Sequence, residues 1–384
     1  MASQRDIEIA SLLFRSGILP QEEIQAALGR QGRLLTEGTV KTLAEVLVEM
    51  RLLDAEVAST FTDAPLETVQ PFPDYRLEER IGDGASARVY RGVYLPRELP
   101  VAVKVLHPEQ ALQDKPLRRF LREAKLLCKM RHDNIVRGYE CRKIAGFRFL
   151  SMEYVLGGTI LERIDKRGPM DGAAALHVSR QIARALSYLY ANGIVHRDIK
   201  PGNMLVDDLW HVKLIDLGLC RIAGQAEESA GTTVGTVGYI SPEQAKGVSD
   251  LDIRSDIYSL GVTLYHMVAG EVPFAGENDL EVMTKQIMQS LRSDRLKSLN
   301  ISPHVHYAIE KMMAKDREIR FQHPDDIVKE LDAYLDSVKY QPIPIARPVA
   351  GDQPAPARHP LAPKGKQSAD IKPTTPISRR RRWR

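Results

Sequence analysis

An acid, a cation and an amide stand close together in His196-Arg197-Asp198-Ile199-Lys200-Pro201-Gly202-Asn203, between the apolar runs Ile194-Val195 and Met204-Leu205-Val206. In a solvated loop such residues are ordinary. Pinned between buried flanks, they can form a reaction centre. Phosphoryl transfer needs a carboxylate to orient the attacking hydroxyl, a cation for the moving phosphate, and oxygen ligands for Mg²⁺. Asp198, Lys200 and Asn203 offer these in turn. Asp216-Leu217-Gly218 follows thirteen residues after Asn203, behind the strand-like run 211–215. Asp216 would be a second oxygen ligand, and Gly218 would allow a sharp backbone turn there.

A second cation, Lys104, closes the apolar run Val101-Ala102-Val103. Alone, such a lysine would turn to solvent. Glu123, in the helical stretch Arg119-Phe120-Leu121-Arg122-Glu123-Ala124, supplies the counter-charge that a buried ammonium needs. Upstream, Ile81-Gly82-Asp83-Gly84-Ala85-Ser86-Ala87-Arg88-Val89-Tyr90 reads as a hairpin whose glycines let backbone N–H groups approach phosphate oxygens. By itself that signal is weak; its order with Lys104, Glu123, Asp198, Asn203 and Asp216 gives it weight. No GxxxxGK[ST] run occurs, which excludes a P-loop enzyme.

These groups need elements to position them. Residues 75–154 alternate in strand fashion around one helical stretch near 116–130, and past Gly157-Gly158 the pattern turns helical. Residues 174–191 and 253–269 are the clearest helices, apolar on more than one face as buried helices are. The fold class is α+β, with a strand-rich lobe (75–154), a helical lobe (155–338) and a cleft between them suited to a ligand. Residues 1–70 read as a small helical module of two copies. Ile9-Ala10-Ser11-Leu12-Leu13 aligns with Leu43-Ala44-Glu45-Val46-Leu47 at an offset of 34, as do Ile18-Leu19 with Leu52-Leu53 and Glu22 with Glu56. Two unrelated amphipathic helices are the competing account. Pro65, Pro71 and Pro73 mark a linker into a catalytic domain over 71–338.

From 339 onward hydrophobic periodicity vanishes. Nine of the last 45 residues are proline, and ten Lys/Arg face only Asp352 and Asp370, so a disordered basic tail is expected. Cys128, Cys141 and Cys220 form no CxxC pair and read as reduced thiols. The start lacks the apolar core of a signal peptide. The longest apolar stretch, 257–269, is broken by Ser259, Gly261, Thr263 and His266 and is too short to span a bilayer. A cytoplasmic location is expected.

Over residues 75–338 the ordered set resembles a Hanks-type, eukaryotic-like serine/threonine protein kinase of the kind found in bacteria. The resemblance implies a bilobal protein-kinase fold using ATP and Mg²⁺, with Mn²⁺ as an alternative ion. Gly82 to Val89, with Ile81 at the entry and Asp83 and Gly84 at the turn, would cover the phosphates. Ala87 stands where the pattern has its third glycine. Lys104 would contact the α- and β-phosphates, braced by Glu123; Asp198 would be the catalytic base, Lys200 would steady the γ-phosphate, and Asn203 with Asp216 would bind the metal. Val89, Ala102 and Leu205 would enclose the purine, Met152 would be the gatekeeper, and the Glu153–Val155 backbone would hydrogen-bond the adenine. Gly235-Thr236-Val237-Gly238-Tyr239-Ile240-Ser241-Pro242-Glu243 resembles the end of an activation segment, with Ser241 in place of alanine. Glu243 would pair with Arg320, and Asp256 would anchor the catalytic loop. Leu217 replaces the usual phenylalanine.

Lys200 and Thr236 favour Ser/Thr hydroxyls of protein substrates, and the Gly235–Glu243 segment sets the chain apart from small-molecule kinases of this fold. A nucleotide-binding pseudokinase scaffold is the alternative; it would usually lack Lys104, Asp198 or Asn203, and all three are present. Arg197 would await a phosphate on Thr232 or Thr233, with Ser229 nearby. Thr159 and Gly202 stand where basophilic kinases carry acids, so strong selection for upstream arginine is not expected. The front module would dock a partner or regulate the kinase. Arg379-Arg380-Arg381-Arg382-Trp383-Arg384, close to Thr375 and Ser378, could hold anionic surfaces or nucleic acid, or act as a solvated docking tail.

Overall fold

The computed structural model describes residues 3–15, 18–55, 58–59, 74–144, 147–222, 236–291, 297–299 and 301–343. Gly17, Glu56, the linker prolines, Ser229, Thr232, Thr233, Gly235 and the basic tail from 344 lie outside them.

Three helices come first: α1 (Gln4–Arg15), α2 (Gln21–Thr36) and α3 (Leu43–Glu49). The antiparallel sheet of the first lobe follows, with β1 (Tyr75–Asp83), β2 (Ala87–Tyr94), β3 (Leu99–Leu106), β4 (Gly138–Ile144) and β5 (Phe147–Glu153) in the order β1-β2-β3-β5-β4. Between β3 and β4 run the short α4 (Pro108–Ala111) and α5 (Asp114–Lys129). The second lobe begins with β6 (Gly157–Thr159), α6 (Ile160–Arg167) and α7 (Gly172–Ala191). β7 (Ile194–Val195) pairs with β10 (Arg221–Ile222), and β8 (Met204–Asp207) lies between β6 and β9 (Val212–Leu214). The remaining helices are α8 (Pro242–Ala245), α9 (Ile253–Ala269), α10 (Asp279–Met288), α11 (Pro303–Met312) and α12 (Pro324–Ser337).

The two central helices are bounded by their caps. Asp171 accepts from the Ala173 and Ala174 amides to start α7, and Asp252 accepts from Arg254 to start α9. Gly270, at φ 76°, ends α9 in the left-handed conformation that glycine adopts without strain. Ile182 and Leu186 of α7 share a fully buried core with Ile257, Leu260 and Leu264 of α9 and Ile309 and Met312 of α11. No described helix is long and apolar enough to cross a membrane.

Strand β3 is buried on both faces over most of Val101–Leu106. Side chains alternate along a strand, so Val101, Val103 and Val105 of β3 face away from Ala102 and Lys104. The first three, with Tyr75, Tyr90 and Phe149, form one core with Ile9, Leu13, Leu19, Leu43, Leu47 and Leu53 of the helical module. The helices and both lobes belong to one compact unit. Within the module, the Ile18 and Leu19 amides donate to Leu13 O at 3.0 and 3.3 Å, and the Leu52 and Leu53 amides donate to Leu47 O at 2.8 and 3.3 Å. The same helix ending thus recurs at the 34-residue offset. Buried Asp6 ties the helices together, accepting from the Leu43 amide at 2.7 Å and from Gln31 Nε2 at 3.0 Å. Leu47 is fully buried where module and sheet meet. Leu47→Ala is expected to lower the unfolding free energy by about 2–5 kcal/mol in chemical denaturation; a change under 1 kcal/mol would mean that this contact bears no load.

Candidate active site

A cleft of about 400 Å³ opens between the lobes. Ile81, Gly82, Val89 and Ala102 line it from the sheet, Leu205 and Ile215 from the second lobe, and Met152 to Val155 along the connection. Lys104, Glu123, Asn203 and Asp216 also reach it.

Lys104 Nζ donates to both Glu123 oxygens, at 2.6 and 2.8 Å. α5 presents Glu123 on its buried face while β3 presents Lys104, so the pair joins helix to sheet. Burial pushes the Lys104 ammonium down, but the Glu123 and Asp216 carboxylates push it up and prevail, holding it protonated. Asp216 shows the converse balance. Burial pushes its carboxyl up, while Lys104 and the Gly218 amide, 3.0 Å from Oδ1, pull it below its ordinary value.

The loop carrying Asp198 is held from beneath. Asp256, wholly buried on α9, accepts from the amides of His196 and Arg197, both at 2.7 Å. These two bonds support Arg197 at φ 70°, a conformation that costs a non-glycine residue on the order of 1–3 kcal/mol. Gln244 Nε2 adds a bond to Arg197 O at 3.1 Å. His196 Nδ1 accepts from the Asp198 amide at 3.2 Å, and burial pushes the ring's pKa below its ordinary value. Asp198 Oδ2 then receives Lys200 Nζ at 2.7 Å and Asn203 Nδ2 at 2.9 Å. Thr236 accepts from Lys200 at 2.7 Å and donates its amide to Asp198 Oδ1 at 3.4 Å.

Asn203, Asp216, Lys104 and Glu123 thus meet at one cleft, with Asp198 and Lys200 bonded to Asn203 and Thr236 beside it. Asp83 and Gly84 do not line that cleft: Asp83 Oδ2 is 3.0 Å from Arg80, and the Gly84 amide bonds to Ala87 O at 3.0 Å. The sharp turn also lies elsewhere than expected. Asp216 itself has φ 65°, whereas Gly218 is needed for close approach, since a Cβ there would sit 3.0 Å from Asp216 Oδ1. Leu127, Val136, Ile215 and Glu162 line the cleft without having been singled out in the sequence. Leu127 lies four residues beyond Glu123, on the same helical face, and that spacing could have found it. Glu162 brings an acid to the wall although 159 and 202 carry none.

The donor chemistry suits Mg²⁺. This ion is typically held by one or two carboxylates together with phosphate oxygens. Asp216 supplies a carboxylate, and Asn203, whose Nδ2 is engaged by Asp198, keeps Oδ1 for a cation. Among the described residues no cluster of three or more His, Cys, Asp or Glu could cage a metal alone.

A sequence model of the protein kinase domain matches residues 75–330, and the chain belongs to that family. It is 32% identical over 264 residues to the serine/threonine-protein kinase PrkC of Bacillus subtilis, covering 68% of this chain and 41% of that protein. The serine/threonine-protein kinase PknL of Mycobacterium tuberculosis is 36% identical over 227 residues, covering 59% of this chain and 57% of PknL. A probable serine/threonine-protein kinase of Clostridium acetobutylicum is 33% identical over 258 residues, covering 67% of this chain and 39% of that protein. The chain therefore spans between about two fifths and three fifths of these relatives.

Arg320, fully buried, donates to both Glu243 oxygens at 2.7 and 3.0 Å and ties α8 to the loop before α12. Burial pushes the Glu243 carboxyl up, but Arg320 pulls it below its usual value, so its contribution is present above the unfolded carboxylate pKa and is lost as pH falls through the folded one. Arg320→Leu leaves that charge buried and unpaired. Denaturant unfolding is expected to show a loss of about 3–5 kcal/mol near neutral pH, shrinking in acid as Glu243 protonates.

Proposed function

We propose that the chain is a serine/threonine protein kinase, transferring the γ-phosphate of ATP to Ser or Thr hydroxyls of proteins in signalling. One observation carries the reading: Asp198 accepts hydrogen bonds from Lys200, Asn203 and Thr236, and Asn203 lines the cleft that also holds Lys104, Glu123 and Asp216. A carboxylate so placed orients a hydroxyl and takes its proton as the oxygen attacks. Lys200 would steady the γ-phosphate. Lys104, held by Glu123, would neutralise the α- and β-phosphates. Asn203 Oδ1 and Asp216 would hold Mg²⁺, or Mn²⁺; the ion would neutralise phosphate oxygens when bound with the nucleotide.

Gly82 and Gly84 would let the hairpin backbone close on the phosphates. Neither lies at positive φ, and a Cβ on either would meet its nearest neighbour only at 3.5 Å, so a close-lying ligand explains these glycines better than the protein's own packing. The Glu153 amide bonds to Arg137 O at 2.8 Å, and the Glu153 carbonyl and the Val155 amide would receive the adenine. The setting we propose is the cytoplasm.

Radiolabelled γ-phosphate transfer to a generic protein acceptor tests the assignment. Asp198→Asn is expected to reduce incorporation by roughly 10²–10⁴-fold, the usual contribution of a positioned base; equal incorporation by variant and wild type would refute it. The activated form would carry phosphate on Thr232 or Thr233, paired with Arg197. Mass spectrometry after incubation with ATP should find it on the peptide spanning 223–235, and an unmodified peptide from active enzyme would contradict this.

A further inference from the structure

Arg88 bonds to the helical module behind the hairpin. It lies on the β2 arm of the glycine-rich hairpin, paired with Asp83 and next to Val89 on the cleft wall. Alternation along the strand turns Val89 to the cleft and sends Arg88 and Tyr90 to the opposite face. Both are buried there, at 8% and 5% exposure. The helical module is what buries them. Arg88 donates to Glu23, in the first turn of α2, at 2.6 Å, and to the Ile18 carbonyl, just ahead of that helix, at 3.3 Å. Tyr90 lies in the core that the module shares with Val101, Val103 and Phe149. The hairpin is thus gripped from behind by groups 65 and 70 residues away in sequence.

A grip of this kind matters because the hairpin's glycines do not hold it in place. Glycine has the widest conformational freedom of any residue, and ordering it carries the largest entropy loss. A ligand that needs the ordered hairpin binds more weakly in proportion to the fraction of molecules that lack it. The Arg88–Glu23 pair is well placed to raise that fraction. Arg88 is 10% exposed at its side chain and Glu23 30%, so water screens the pair less than a surface ion pair.

We propose that the helical module clamps the phosphate-covering hairpin, with Arg88 as the positioning residue and Glu23 as its partner, and so sets the affinity for the nucleotide. This rests on reading the cleft as a nucleotide site. The test uses the full chain, a fluorescent ATP analogue with Mg²⁺, steady-state kinetics and amide hydrogen exchange. Glu23→Ala should weaken analogue binding and raise the KM for ATP by roughly five- to tenfold, the factor by which the ordered fraction falls, while kcat stays within about twofold. Amides of 82–89 should exchange faster and those of 198–204 should not. Arg88→Ala should behave as Glu23→Ala does, and Arg88→Lys, which keeps the charge, should recover most of the affinity. Unchanged analogue affinity in Glu23→Ala would overturn the clamp. So would a loss of protection spread over both lobes, which marks general destabilisation. A wild type that binds the analogue but transfers no phosphate would contradict the kinase reading alone, with the binding arm still deciding the clamp.

Discussion

Two carboxylates stand at one end of the cleft, Asp216 on its wall and Asp198 bonded to Asn203 beside it, and Asp216 is held below its ordinary pKa despite its burial. Much of the molecule answers to that constraint. Asp216 is held below its ordinary pKa by Lys104 and the Gly218 amide, and Lys104 is held by Glu123 on α5. Asp198 is fixed by Lys200 and Asn203 above a backbone at Arg197 that the amide bonds to Asp256 and the Gln244 bond to Arg197 O support. Asp256 in turn can serve as a fixed point because α9 is buried on nearly every face. Positioning therefore runs from a rigid helix, through a strained loop, to the Asp198 carboxylate.

The first-lobe sheet is built on a second constraint: each strand serves two environments. β2 and β3 place Val89, Ala102 and Lys104 on the cleft side and Arg88, Tyr90, Val101 and Val103 on the other. Fully burying valines such as Val101 and Val103 contributes about 1.5–3 kcal/mol each. The module is therefore part of what makes the sheet a stable platform.

The parts of the fold legible in sequence are those where local chemistry and tertiary demand agree. Helices expected over 174–191 and 253–269 run from Gly172 to Ala191 and from Ile253 to Ala269, because Asp171, Asp252 and Gly270 stand at ends that the apolar pattern also marks. The residues singled out around the cleft stood out because ordered acids, amides and cations between apolar flanks are rare. Long-range placement was harder to read. The apolar run Val101-Ala102-Val103 does not say what covers each face of β3, and nothing local in the sequence ties Arg88 to Glu23, 65 positions away. Residue type likewise pointed to Gly218 for the turn, whereas Asp216 adopts the left-handed conformation and the glycine only makes room.

The central claim is that this cleft moves phosphate from ATP to a serine or threonine hydroxyl of a protein. Phosphoamino-acid analysis of acid-hydrolysed acceptor, labelled from ATP by the full chain with Mg²⁺, tests it most directly. The account predicts label in phosphoserine and phosphothreonine. Label confined to phosphotyrosine, or released as free phosphate with none in the acceptor, would contradict it.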